Sequence, residues 1–224
     1  MNTISELTQA SLWAFTFFGM LIAYLLGSIP FGVLFSKWFK KKDLRQLGSH
    51  NIGTANAVRV AGYKVGLLTL VADILKGAIP VWLYSVYTAM TEAQIHIGAH
   101  LFLVHDIGVF LIALSAILGH MFPVYFLFRG GGKGVATAFG SLAVISPLSI
   151  FYALFIYVTV FFSFKKASLA SLSAVVSLLI SFSILVGCFS FPFILLAVLL
   201  IFIRHRSNIV RLFLRIEKPF KREE

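Results

Sequence analysis

Val135-Ala-Thr-Ala-Phe-Gly-Ser-Leu-Ala-Val-Ile-Ser146-Pro147-Leu-Ser-Ile-Phe-Tyr-Ala-Leu-Phe-Ile-Tyr-Val-Thr-Val-Phe-Phe-Ser-Phe164 runs for thirty residues without Lys, Arg, Asp or Glu. At about 1.5 Å per residue it suits one tilted helix, or two short ones, in a hydrocarbon core about 30 Å thick. Residues before proline avoid the helical region, so Ser146-Pro147 marks a break. Charge chooses between the readings. Basic residues cluster at Lys37–Lys64, Arg129–Lys133, Lys165–Lys166 and Arg204–Arg222. A single crossing by residues 135–164 would strand the last two clusters on the opposite side from the first two. A hairpin broken at Pro147 puts all four together, on the side that the positive-inside rule makes cytoplasmic. The hairpin predicts an all-α, polytopic integral membrane bundle of about seven transmembrane helices, one or two of them short. Its N-terminus is outside and its C-terminus cytoplasmic, and residues 1–224 form a single domain.

The composition demands a bilayer. The chain is 59% hydrophobic and 12% charged, with a mean hydropathy of +0.96. A soluble domain cannot hide so much apolar surface. Further apolar stretches run over Leu7–Ser36, Val65–Thr91, Ile107–Phe128 and Ala167–Ile203, and only the second contains charges, Asp73 and Lys76. Glu6, with no Lys or Arg before the first stretch, lacks the charged start of a secretory signal, so Leu12–Phe35 reads as a retained first span. Ala167–Ile203 is too long for one crossing; Gly187 and Pro192 supply a turn, giving spans near 168–186 and 190–204. The formal charge of +11 sits just beyond hydrophobic segments, which points to lipid head groups and phosphorylated metabolites and away from nucleic acid. Cys188 is the single cysteine, which rules out an internal disulfide.

Three polar segments could do chemistry. The first, Asp43-Leu-Arg45-Gln-Leu-Gly48-Ser49-His50-Asn51-Ile-Gly53-Thr54-Ala-Asn56-Ala-Val-Arg59, offers hydroxyls, amides and an arginine that can grip phosphate bidentately. The second carries Gly119-His120-Met-Phe-Pro123 and then Arg129-Gly-Gly-Gly132-Lys133-Gly134-Val-Ala-Thr137. Glycines let several N–H groups approach one anion, and Lys133 adds a full charge. This is not a Walker A loop, because Lys133 precedes Gly134 where Ser or Thr is required. His120 reads as a hydrogen-bonded structural histidine. The third segment is Arg204-His205-Arg206-Ser-Asn208-Ile-Val-Arg211. On a helix, His205, Asn208 and Arg211 would share one face; the arginines are explained as a juxtamembrane anchor. Lys165, Lys166, Ser168 and Ser171 form a weaker fourth group. Asp73 and Lys76, at i and i+3, read as a structural ion pair facing the bundle. His96, His100, His105 and Asp106 read as a solvated external loop, because no glutamate of H-E-x-x-H and no thiolate accompanies the histidines.

These segments in order resemble the bacterial PlsY family, the acyl-phosphate:glycerol-3-phosphate acyltransferases. The matching residues are Gly48–Asn56, Gly119–Val124 with Gly131–Thr137, and Arg204–Arg211, together with Gly27–Gly32 and Asp73-x-x-Lys76-Gly77. His50 stands where the family pattern has glycine, and Thr54-Ala55 inverts its Ala-Thr order. The resemblance implies seven transmembrane helices in a bacterial inner membrane with a cytosol-facing site. It implies that an acyl group moves from long-chain acyl phosphate to glycerol 3-phosphate, giving lysophosphatidic acid and inorganic phosphate, with no cofactor and no metal. By motif position it makes Ser49, Arg59, Lys133, His205 and Asn208 the catalytic candidates. Asn51, Gly53, Thr54, Asn56, Gly131, Gly132, Gly134, Thr137 and Ser171 become the substrate-binding candidates. Membrane lipids and the enzyme that makes acyl phosphate are the implied partners.

The expected chemistry is positioning. Acyl phosphate is already activated, so the protein must hold two anions together and stabilise the developing oxyanion. The glycines and Lys133 are expected to hold acyl phosphate, with Arg59, Ser49 and the His205–Asn208 face on glycerol 3-phosphate. Either His205 or the donor's own phosphate takes the proton. The rival from another class is a transporter of a phosphorylated or anionic solute, whose site would lie near the midplane between repeats; no repeat is visible here.

Overall fold

The computed structural model describes residues 2–89, 94–97, 100–217 and 219–220. The chain is almost entirely helical: α1 (Asn2–Ser28), α2 (Phe31–Lys40), α3 (Thr54–Ala61), α4 (Tyr63–Thr88), then a short ribbon of β1 (Gln94–Ile97) and β2 (His100–Leu103). α5 (Val104–Met121), α6 (Val135–Ile145), α7 (Pro147–Phe164), α8 (Ala167–Leu185), α9 (Phe191–Arg204) and α10 (Arg206–Phe213) follow. Among the described residues five segments are long and apolar enough to cross a membrane, or six if α9 and α10, bent by 66°, count as one. α6, with 11 residues, is shorter. Their outward faces carry large apolar side chains, such as Phe151 and Phe155 on α7 and Ile180 and Ile184 on α8. That surface suits lipid, not water.

The break expected at Pro147 is present. Ser146 caps α7 by accepting from the Ser149 N–H at 3.4 Å, while Pro147 occupies the first turn, where its missing N–H costs nothing. α6 packs mainly on α4 and α7 mainly on α8. Close backbone approach holds the first pair: Gly77 lies against the Thr137 carbonyl and Gly140 against the Ile74 carbonyl, with no space for a Cβ at either. α6 leaves the end of the bundle where Arg204 binds the preceding glycine loop, and α7 returns to it, where the Lys165 carbonyl accepts the Phe220 N–H at 2.8 Å. Gly187, at φ 112°, separates α8 from α9 as expected.

α5 is the central helix, packed on α1, α4, α6 and α9. Most of its residues are buried.

Two expectations need correction. The first span does not stop at Phe35 but continues to Lys40, with a break at Ile29-Pro30. Proline cannot donate into the helix and disfavours it in the preceding residue. The Ile29 carbonyl near this break accepts Lys76 Nζ at 2.9 Å. Lys76 also pairs with Asp73 at 2.7 Å, both side chains buried, so this is the bundle-facing ion pair anticipated. The segment read as a solvated external loop instead forms the antiparallel ribbon β1–β2, with Ile97 opposite His100. Its alternation, Gln-Ile-His-Ile and His-Leu-Phe-Leu, is a strand period. His105 sits on α5, and its Nδ1 lies 2.6 Å from Thr88 Oγ1. The side chains of His96 and His100 lie outside the described residues.

Candidate functional site

Described members of all four basic clusters lie at one end of the bundle, and a chain of polar contacts joins segments there. Lys133 Nζ donates to Asn208 Oδ1 at 2.6 Å. Asn208 Nδ2 donates to Glu217 Oε1 at 2.6 Å. The same carboxylate accepts Ser168 Oγ at 2.7 Å and, on its other oxygen, Arg211 Nε at 2.6 Å. One carboxylate thus ties α8, α10 and the C-terminal segment to the lysine of the glycine loop. Although burial works against it, the hydrogen bonds from Ser168, Asn208 and Arg211 hold the Glu217 carboxyl below the usual range.

Burial pushes the Lys133 ammonium down to about 8. Glu217 opposes that shift, and the positive charges of Arg211, Arg59 and Arg204 add to it. These charges come from α10, α3 and α9, so cations far apart in sequence surround one half-buried ammonium. Among the charges that bear most on Lys133, one carboxylate stands against three arginines, and such an excess of positive charge favours anions.

The glycine loop is fixed from both sides. Arg204 Nε donates to the Gly132 carbonyl at 2.9 Å, and its Nη2 donates to the Gly131 carbonyl. The Gly132 N–H donates to the His120 carbonyl at 3.0 Å. Peptide planarity then turns the Lys133 N–H away from Arg204. Gly132 has no room for a side chain, because His120 Nε2 fills the space a Cβ would take. Gly134, at φ 82°, starts α6 without a side-chain cap, and Gly53 starts α3 in the same way. Uncapped first turns present N–H groups to an anion.

Several candidates are placed differently from the sequence reading. Arg204 is not a lipid anchor; it is half-buried and holds the loop. His205 does not lie on a continuous helical face with Asn208, because the chain bends at His205 between α9 and α10. It is 2% exposed, and its Nδ1 lies 2.9 Å from the Ile201 carbonyl. Asn208 and Arg211 do share a face, and both reach Glu217. His120 is buried, as a structural histidine would be: its Nδ1 faces Asp73 Oδ1 at 3.7 Å and has no closer hydrogen-bond partner among the described residues.

The first polar loop has its own small core. Leu44 and Ile52 pack with Val33, Ala57, Ala61 and Val65. Asn56 organises the loop above it: Nδ2 contacts the Leu44, Leu47 and Asn51 carbonyls at 2.8–3.0 Å, and Oδ1 accepts the Ser49 N–H at 2.8 Å. Its amide is therefore a scaffold for Ser49. Asn51 Oδ1 accepts the Gly53 N–H at 2.8 Å, turning the chain into α3. His50, at φ 57°, takes the left-handed conformation that glycine adopts freely, and its exposed ring turns towards the Arg45 carbonyl at 3.0 Å. The Arg45 guanidinium lies 4.5 Å from the Phe126 ring centre, joining this loop to the second segment. Ser49 is exposed. Thr54 and Thr137 each bury an Oγ1 with no partner among the described residues. Ser171 Oγ donates within α8 to the Ala167 carbonyl at 2.8 Å. Glu217 and Ser168 are the site members that residue-by-residue reasoning left without a role. The one signal was a carboxylate inside a strongly basic tail.

Residues 17–215 match the family described as Glycerol-3-phosphate acyltransferase. A glycerol-3-phosphate acyltransferase of Haemophilus influenzae (strain PittGG) is 43% identical over 201 residues, covering 88% of this chain and 91% of the relative. One from Syntrophotalea carbinolica is 38% identical over 208 residues, covering 90% and 96%. The crystal structure of PlsY (YgiH), an integral membrane glycerol 3-phosphate acyltransferase, in its glycerol 3-phosphate form superposes with a TM-score of 0.78 at 33% identity. It covers 92% of this chain and 96% of that one. The lysophosphatidic acid form gives 0.75 at 32% identity. With polar loops that meet at one end of an apolar bundle, and with similarity along nearly its whole length, this chain belongs to the glycerol-3-phosphate acyltransferase family.

Proposed function

We propose that the basic end of the bundle transfers a fatty acyl group from acyl phosphate to glycerol 3-phosphate, at the cytoplasmic face of a bacterial inner membrane. The observation that carries this reading is the half-buried Lys133–Asn208–Glu217 chain with the charges of Arg59, Arg204 and Arg211 acting on it. Two anionic reactants repel each other, and a cationic ring under one carboxylate offsets that repulsion. The glycerol 3-phosphate hydroxyl oxygen attacks the acyl carbon, the bond from that carbon to the phosphate oxygen breaks, and inorganic phosphate leaves. The product is 1-acyl-glycerol 3-phosphate. Lys133 and the first-turn N–H groups of α6 hold the donor phosphate and the developing oxyanion. Arg59, Ser49 and Asn208 hold glycerol 3-phosphate.

The hydroxyl proton has two acceptors. His205 Nδ1 faces a backbone carbonyl, so that nitrogen carries the hydrogen and Nε2 keeps a lone pair able to accept a proton. The departing phosphate is the other. His205→Ala is expected to lower kcat by about 10²-fold or more if histidine is the base. A near-normal kcat in that variant assigns the proton to phosphate.

The reading is tested with purified protein in lipid nanodiscs, supplied with palmitoyl phosphate. Phosphate release is expected only when glycerol 3-phosphate is present, one phosphate per lysophosphatidic acid, with no transfer from palmitoyl-CoA. Release that ignores glycerol 3-phosphate, or glycerol 3-phosphate crossing proteoliposomes unmodified, overturns it. The second outcome would favour the transporter reading, against which stands the gathering of polar groups at one end.

The pH dependence follows from Lys133. Its ammonium is charged below about pH 8 and neutral above. Anion binding by the free enzyme should therefore weaken as pH rises through that value. A falling alkaline limb of kcat/KM near pH 8 is the expected profile, and Lys133→Arg should move that limb to higher pH.

A further inference from the structure

Asp73 and Lys76 are the only Lys, Arg, Asp or Glu in the five apolar stretches. The fold buries both, with His120 buried beside them. Charge at that depth is costly and needs a reason. Stability does not supply one, because well-packed apolar residues of similar volume commonly hold a core as well or better. The contacts of the group do.

On one side Lys76 Nζ donates to the Ile29 carbonyl at 2.9 Å, at the break before α2, and lies 5.8 Å from the centre of the Phe31 ring. The next residue, Gly32, meets the Ile52 carbonyl with no space for a Cβ. The start of α2 therefore fixes the loop that carries Ser49 and leads through Gly53 into α3 and Arg59. On the other side Asp73 Oδ1 holds Lys76 Nζ at 2.7 Å and faces His120 Nδ1 at 3.7 Å. The far nitrogen of that ring, Nε2, fills the space beside Gly132. The His120 carbonyl also accepts the Gly132 N–H at 3.0 Å, one residue before Lys133. Between these two sets of contacts α4 is locked to α6 by Gly77 and Gly140, each against a backbone carbonyl of the other helix.

We propose that the buried Asp73–Lys76 pair sets the spacing between the two anion-holding loops. Lys76 positions the first loop through Ile29 and α2, and Asp73 positions the glycine loop through His120. The inference rests on the reading that the glycine loop and Lys133 hold acyl phosphate while Ser49 and Arg59 hold glycerol 3-phosphate. Asp73, Lys76 and His120 are positioning residues, each acting through another. Each loop also has contacts of its own, the Asn56 amide in the first and Arg204 on the carbonyls of the second. Each loop therefore keeps its affinity for its own anion when the pair is removed. What is lost is the alignment of the attacking hydroxyl with the acyl carbon, and a misplacement of about 1 Å costs about 10²-fold in rate.

The test uses full-length protein in lipid nanodiscs and the double variant Asp73→Asn with Lys76→Met, which removes both charges together and leaves neither unpaired in the core. Its kcat is expected to fall about 10²-fold. The dissociation constant for glycerol 3-phosphate, measured by calorimetry, should stay within about three-fold of the parent's, and the thermal midpoint should stay close to it. His120→Asn is the milder arm: its amide still reaches towards Asp73, but nothing supports Gly132 from the position of Nε2. There kcat should fall about ten-fold with the same unchanged affinity. Parental kcat in either variant overturns the proposal. So does a thermal midpoint that falls in step with kcat, which would make the group a stabilising element only. A dissociation constant that rises in proportion to the lost kcat also overturns it, by placing the group in ground-state binding. All three outcomes leave acyl transfer by the parent intact, whereas a parent that transfers no acyl group from acyl phosphate would overturn the functional reading itself.

Discussion

Lys133→Ala is expected to lower kcat/KM for acyl transfer by about 10³-fold or more, with the helical fold retained. Removing a single preorganised donor to a developing oxyanion commonly costs about 10²–10³ in rate. Here the lost group also carries a full charge in a half-buried site, so ground-state anion binding is lost with it. The fold should survive because α6 is fixed by Gly77 and Gly140 at its contact with α4, and the loop by Arg204 on its carbonyls. The measurement is steady-state kinetics beside the thermal unfolding midpoint. A variant that keeps more than a tenth of parental kcat/KM would remove Lys133 from the chemistry. Unfolding in parallel with the loss would make it a structural residue.

Glu217 carries the second large effect. Glu217→Ala leaves Asn208 Nδ2, Ser168 Oγ and Arg211 Nε without their shared acceptor and releases the C-terminal segment from α8 and α10. Its side chain is 10% exposed. Breaking a charge-assisted network at that depth should destabilise the protein by about 2–4 kcal/mol and abolish activity by scattering Asn208. Glu217→Gln separates order from charge. The amide oxygen can still accept from Asn208 and Ser168, as Oε1 does, but its NH2 cannot accept from Arg211, and the negative charge that supports the Lys133 ammonium is gone. Lys133 should then lose its proton more easily, so the alkaline limb of kcat/KM moves below pH 8. A limb that stays in place would deny the electrostatic link between the two residues, whatever happens to stability.

The hairpin of α6 and α7 was legible because one proline and a count of basic clusters sufficed. Gly187 and Pro192 were legible for the same reason: the residues that stop a helix are local. The break at Ile29-Pro30 was passed over because the apolar stretch continues across it to Ser36, and hydropathy does not register a kink. Lys133, Asn208 and Arg59 were singled out from residue type and order, since phosphate demands fixed cations and amides, and the fold brings them to one end of the bundle. The sequence reading missed what those residues do to one another. Asn56 was expected on substrate, yet its amide is spent on three carbonyls and the Ser49 N–H, a role set by how the loop closes. The shared face of His205 and Asn208 assumed a straight helix, and the 66° bend between α9 and α10 removes it. Glu217 is invisible in one dimension because its partners, Ser168 and Asn208, come from separate helices. Long-range pairing of that kind needs coordinates.

The proposition on which the rest depends is that both anions occupy one pocket at the same time and react directly. The initial-velocity pattern tests it, with acyl phosphate and glycerol 3-phosphate varied together. Intersecting reciprocal plots, with no acyl-enzyme trapped on quenching, are the predicted result. Parallel plots with an acyl group recovered on Ser49 or any other side chain would show that the donor departs before the acceptor binds, and would contradict it.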